Sequence, residues 1–317
     1  NKKRTSDRSA YVTFMSTDTR IDSLWFKNFP PEKVITEFNI PKDSLLLWIN
    51  DSRRMPDTLH LFVKYWKTDS LNTLVPVTED FKLVDENRPK GRTRHKVEHA
   101  DTICKLRLTA TPENFEQDGI IMEFGDPPFL GYFDNLSLIS INPKQVEQKE
   151  KFTIERDSLN LRRYIITPKV AIQDGYEYKF KVPHRAFMDI NGYWNDSTEV
   201  KVALPKDDAL STFILNLNGV KNRYIVQLLN DNKSKVLREY IVDNNQSLVF
   251  PYLKKAAYSI RIIEDVNRNG IVDTGSLFQH RQPEKVRFLK TNDKDTFDIP
   301  ERSEIEQSLD LEEFMRD

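Results

Sequence analysis

Five residues in one short run have the types and spacing of a cation loop: Asp265, Asn267, Asn269, Gly270 and Asp273, within EDVNRNGIVDTG. They fit positions one, three, five, six and nine of a calcium loop, where hard oxygens converge and a glycine permits the sharp turn. Asp265 would supply charge, Asn267 and Asn269 neutral oxygens, Ile271 its carbonyl, and Asp273 a direct or water-mediated contact. Position twelve is Ser276 rather than a bidentate glutamate, which removes a charge and two coordination sites. Glu264, Asp243 and Glu284 are candidates to complete the set, and the ion expected is a structural calcium of modest affinity. The alternative is a solvated Asn269-Gly270 hairpin whose polar side chains cap their own turns.

Other chemistry is thinner. His95, Glu98 and His99 match H-x-x-E-H, a zinc signature that works only on a helix, where both histidines share a face. They lie in DENRPKGRTRHKVEHA, which holds Pro89 and Gly91 and has no apolar periodicity, so no shared zinc is expected. The basic residues of that stretch, Lys90, Arg92, Arg94 and Lys96, could suit a phosphate or an acidic partner but read rather as an exposed linker. No G-x-S-x-G, P-loop or Rossmann fingerprint occurs. Cys104 is the only cysteine, which excludes an internal disulfide and a multi-cysteine zinc site. It falls in an alternating run where a buried, inert thiol is the default. His60, His184 and His280 are far apart in sequence, so a non-enzyme is expected, with no cofactor beyond the candidate calcium. Among Trp25, Trp48, Trp66 and Trp194, aromatic faces that could stack on sugars, Trp48 and Trp66 sit in apolar strands and read as core. Trp194, with Tyr193 in the NGYWND loop, is the candidate glycan contact.

The elements that must position these residues are strands. YVTFM, SLWF, SLLLWI, TLHLFVKYW and FKLV are short runs of strand length. Asp22-Ser23-Leu24, Asp43-Ser44-Leu45, Asp57-Thr58-Leu59 and Asp101-Thr102-Ile103 read as turns that start them, rather than as a ring of metal-binding aspartates. CKLRLTA, GIIMEF, NLSLISI, KFTIER, RRYIIT, GYEYKFKV and EVKVAL have the spacing of a sandwich. In them Asp126-Pro127-Pro128 breaks a strand and Asp189 serves a strand-end loop. TFILNL, YIVQLLN, EYIVDN, LVFPYL, AYSIRII and KVRFL make a third set. In the tail, Ile305, Leu309 and Phe314 stand at roughly helical spacing behind Ser303 as a candidate N-cap with Glu306 three residues on, predicting a short helix. The expected fold is all-β: an N-terminal β domain over 1–95, a β-sandwich over 96–205 that resembles Ig-like domains, a β-sandwich over 206–300 that looks transthyretin-like, and an acidic tail with a short helix over 301–317.

Composition agrees with several small domains, because 317 residues exceed what one core usually supports. The 48 Lys and Arg nearly cancel the 49 Asp and Glu, so no overall field favours nucleic acid or an anionic membrane. The longest apolar runs, such as LLLWI, suit a strand and fall short of a membrane helix.

EDVNRNGIVDTG followed by QHRQPEKVRFL resembles the C-terminal region of Bacteroidota envelope lipoproteins with bacterial (SbsA-type) Ig-like domains. The resemblance extends upstream through RYIVQLLND and YEYKFKVPHRAFMDINGYWND, and is most specific in the final third. Members begin with a lipidated cysteine and an N-terminal Ig-like domain, so the chain looks like the C-terminal part of a longer precursor. The family offers no chemistry to transfer. The resemblance implies a place, the cell envelope and its outer membrane, with the membrane reached only through a lipid anchor outside this chain. The expected function is a non-enzymatic scaffold or protein-binding module whose partners are envelope proteins; the alternative is a module that binds surface glycan.

Overall fold

The computed structural model describes residues 2–16, 19–71, 73–84, 103–206, 210–275 and 281–316. The basic linker with His95 and His99, the Asp101-Thr102 pair, Ser276 and His280 lie outside the described residues. Within them the chain is all-β, a tandem series of β-sandwiches ending in a short helix.

In the first sandwich, Lys2–Arg4, Ser9–Thr13, Ser44–Ile49 and Val34–Phe38 form one antiparallel sheet, and Ile21–Phe26, Thr58–Thr68 and Leu74–Val84 the other. Leu45, Leu47 and Ile49 of the first face Leu59, Leu61 and Val63 of the second, and burying each such side chain stabilises by about 1.5–3 kcal/mol. The second sandwich sets Phe152–Arg156, Arg163–Pro168, Ile120–Phe124 and Leu106–Thr109 against Glu147–Glu150, Ser137–Ile141, Glu177–Val182 and Thr198–Ala203. A separate ribbon pairs Pro128–Gly131 with Phe187–Asp189. In the third, Gln246–Leu253, Ser211–Asn218 and Glu304–Asp310 oppose a sheet built on Tyr224–Asn230 and Ala256–Glu264. Val236–Val242, Val286–Phe288 and Phe297–Ile299 extend that second sheet.

Four local expectations need correction. The tail from Glu304 to Asp310 is a strand, paired parallel with Ser211–Asn218, and the helix is confined to Leu311–Phe314. Ile305 and Leu309 are four residues apart, an even interval that satisfies a strand as well as a helix. Asp310, not Ser303, is the cap, accepting from the Glu313 N–H at 3.1 Å. Asn269-Gly270 does not turn a two-residue hairpin, since among the described residues the next strand is Val286–Phe288; Arg268 and Gly270, at φ 58° and 72°, take the left-handed positions. Asp43 and Asp57 do stand immediately before strands, whereas Asp22 lies inside Ile21–Phe26.

Arg4 fastens the first strand. Its side chain is fully buried and donates to the carbonyls of Pro56 and Asp57 at 2.8 and 3.1 Å, of Asp7 at 2.8 Å and of Ser6 at 3.2 Å. Leucine would fill the space but leave these acceptors without their cation. Arg4→Leu should therefore cost about 3 kcal/mol in urea unfolding; a loss below about 0.5 kcal/mol would contradict this role for the guanidinium.

Candidate functional site

Ser44–Ile49 carries apolar residues on both faces. Leu45, Leu47 and Ile49 enter the core, so Trp48 points the other way, yet it is 2% exposed. Its cover comes from the second sandwich. Trp48 Nε1 donates to Asp126 Oδ1 at 2.9 Å, and the Arg162 guanidinium lies 5.4 Å from its ring. On the neighbouring strand, Glu37 accepts from Arg162 Nη2 at 2.9 Å and from the Leu161 N–H at 2.8 Å. Trp48 is thus buried at a junction, not in the core that its apolar run suggests. Asp126, read from sequence only as a turn residue, accepts at its second oxygen from Asn191 Nδ2 at 3.0 Å. A second junction joins the central and third sandwiches, where Arg238 Nε donates to Gln117 Oε1 at 2.9 Å and Tyr252 donates to Asp174.

The Asn191 loop also sets Trp194. Asp189 accepts from the N–H groups of Asn191 and Tyr193 at 2.8 and 3.1 Å, and Gly192 takes φ 85° to close the turn. Burial, more than any neighbour, pushes the Asp189 carboxyl up. Tyr193 packs against the central core. Trp194 instead lies parallel to Tyr132, with ring centroids 6.2 Å apart and planes 5° from parallel. Tyr132 is about half exposed, so an aromatic surface forms here from two segments that sequence spacing does not relate. A second one lies on the outer face of the first sandwich, where Trp25 parallels Phe62 at 5.5 Å. Trp66 belongs to that outer face and not to the core: Asp22 accepts its N–H at 3.0 Å and Arg20 covers its ring at 4.4 Å. Alternation from the buried Leu61 and Val63 carried this signal.

The Asp265 turn is tightly self-bonded. Asp265 is 1% exposed; its two oxygens accept from the N–H groups of Asn269 and Gly270 at 3.0 and 2.8 Å, and Arg223 Nε lies 3.4 Å away. Glu284 folds in and accepts from the N–H groups of Val266 and Asp273 at 3.2 and 2.9 Å. Burial first, then Asp273 and Asp265, push its carboxyl up. Asp273 Oδ2 accepts from Asn269 Nδ2 at 2.8 Å, while Asn269 Oδ1 accepts from the Ile271 N–H at 2.7 Å. Of the candidates to complete the set, Glu284 is the one in the turn; Glu264 bonds Asn222, and Asp243 lies 3.7 Å from Arg223. Asn267 also donates its amide to Asp273. Among the described residues no three His, Cys, Asp or Glu side chains are grouped as metal ligands, because these oxygens face N–H donors rather than one common point.

The single cysteine is shielded. Cys104 is buried, and burial is the main cause that pushes its thiol up to about 12, which keeps it protonated and unreactive. His60 and His184 each face an aspartate, Asp80 at 2.9 Å and Asp196 at 3.4 Å, on separate sandwiches.

Two outcomes check this geometry. A double-mutant cycle on Glu37→Ala and Arg162→Ala should give a coupling of about 1–3 kcal/mol, since both groups are largely buried; additive losses would mean that the junction pair contributes nothing. Asp265→Ala should cost about 2 kcal/mol with or without an ion, because it strands two N–H donors. The calcium reading is therefore tested on the parent chain. It requires calcium at a hundredfold above its Kd to add about 2.7 kcal/mol, and superimposed melting curves with calcium and with chelator would remove it.

No family model matches the sequence, and no curated protein matches it. Among solved structures, native alpha-2-macroglobulin from Escherichia coli aligns at 8% identity over 58% of this chain and 69% of that one, TM-score 0.24. The major pilin subunit of Bacillus cereus aligns at 9% identity over 93% and 95%, TM-score 0.17. A Bacteroides ovatus protein from a mixed-linkage glucan utilization locus, solved in complex with a heptasaccharide, aligns at 9% identity over 96% and 65%, TM-score 0.16. Scores this low carry no argument about ligand or partner.

Proposed function

We propose that this chain is a non-enzymatic scaffold or protein-binding module of an exported, envelope-associated lipoprotein. The observation that carries the reading is the pair of junctions. Trp48 with Asp126, Glu37 with Arg162, and Arg238 with Gln117 tie successive sandwiches through oriented polar bonds. Side chains committed this way restrict the freedom of each unit against the next, which suits a spacer that presents surfaces at set positions and contributes nothing to turnover. The buried, protonated Cys104 supports the non-enzymatic part. The place in the envelope rests on the sequence resemblance, with a lipid anchor outside this chain as the tether.

The alternative is a glycan-binding module at the cell surface, favoured by the parallel Trp194 and Tyr132 rings. Sugars stack on such faces, and polar groups at the loop, Asp196 and His184 among them, would meet their hydroxyls.

Fractionation of cells producing the full-length protein tests the principal reading. The protein should sediment with the envelope and cross-link there to another protein; recovery in the cytosolic fraction would overturn it. For the alternative, titration calorimetry with soluble oligosaccharides should show Trp194→Ala weakening binding about tenfold, the ~1.4 kcal/mol of a lost stacking face. Unchanged affinity would remove the aromatic pair from consideration.

A further inference from the structure

The third sandwich is open along one side. Glu304–Asp310 ends one sheet and Val286–Phe288 borders the other, each strand paired on one side only among the described residues. Between them lies a cleft of about 680 Å³ lined by Arg287, Leu289, Gln307, Leu309 and Phe314. The inward row of Glu304–Asp310, namely Ile305, Gln307 and Leu309, is only half-buried. On the adjoining strand the inward Phe213, Leu215 and Leu217 are fully covered. The difference has a simple cause. Val286–Phe288 is three residues long and cannot roof a strand of seven.

Charge marks the cleft further. Arg287 stands opposite Ile262 in the ladder, and Ile262 is a core residue, so the two side chains share the inward face. Arg287 has no hydrogen-bond or ion-pair partner among the described residues, and Lys290 borders the same cleft. The outer row of Glu304–Asp310 has the opposite sign, with Glu304, Glu306 and Asp310 exposed.

We propose that the free edge of Glu304–Asp310 accepts an extended strand from another protein. Main-chain hydrogen bonds would supply the pairing, as in β-strand addition to an exposed sheet edge. The two rows of charge state which strand fits. Its inward positions are apolar, over Ile305 and Leu309, with one carboxylate facing Arg287; its outward positions are basic, beside Glu304 and Glu306. This deepens the protein-binding reading above and rests on it. The competing role for Arg287 is that of an inward charge that keeps sheet edges from pairing at all.

Fluorescence anisotropy on the full chain separates the two. The probe is a short labelled peptide alternating valine and lysine, with a central glutamate among the valines. It should bind saturably. N-methylation of alternate amides should abolish binding in one phase and leave it in the other, because only one set of N–H groups faces the edge. Arg287→Glu, with its melting curve unchanged, should weaken binding about tenfold, and a peptide with lysine in place of the central glutamate should recover it. The proposal is overturned if the parent chain ignores the peptide, if both N-methylated forms bind equally, or if Arg287→Glu has no effect. It is also overturned if Arg287→Val self-associates while the parent binds no peptide, which would make the arginine an edge guard only. Failure here together with retained envelope cross-links at another face would leave the scaffold reading standing.

Discussion

A strand whose side chains alternate can bury one face against a partner sheet, and whatever lies on its other face must be wetted, covered or shared. That constraint governs this chain. Each sandwich satisfies its inner faces with its own residues: Leu45 and Leu61 in the first, Met122 and Phe180 in the second, Phe213 and Ile260 in the third. What remains are outer faces and edges, and they account for the features that are not simply core. Trp48 is an outer residue covered by the next sandwich, Trp66 an outer residue covered by Arg20, and Ile305 and Leu309 are inner residues left half-covered at an edge.

The junctions follow from the same economy of faces. Trp48 is too large and apolar to leave in water, and its indole N–H needs an acceptor when buried. Asp126 provides it, and the adjacent Asn191 holds Asp126 through its second oxygen. The loop that supports Trp194 is therefore mechanically connected to the first sandwich. The third sandwich is tied to the second in the same way, through Gln117, Arg238 and Tyr252.

The strands were legible in the sequence because alternation needs only local information. Tyr178, Phe180 and Val182 announce their inward face, and the structure buries all three. The tail was misread where four-residue spacing serves both periods; Glu304, Glu306 and Ser308 between the apolar residues held the correct period of two. The junction was not legible, because Trp48 and Asp126 are 78 residues apart and nothing local relates them. A signal was nevertheless present, since LLLWI is apolar at every position, and a strand of that kind is covered on both faces. The Asp265 run was legible as a tight polar turn. Glu284 stood among three candidates to join it, but the spacing did not single it out, nor show that N–H donors would engage the carboxylates.

The central claim is that successive sandwiches are held in one arrangement by side-chain contacts. Pulsed dipolar spectroscopy tests it most directly, with spin labels at the exposed Lys64 of the first sandwich and Lys149 of the second; the native Cys104 is buried and should stay unlabelled. A narrow distance distribution in the parent chain that broadens on Trp48→Ala is the predicted result. A distribution already broad in the parent, and unchanged by the substitution, would contradict it.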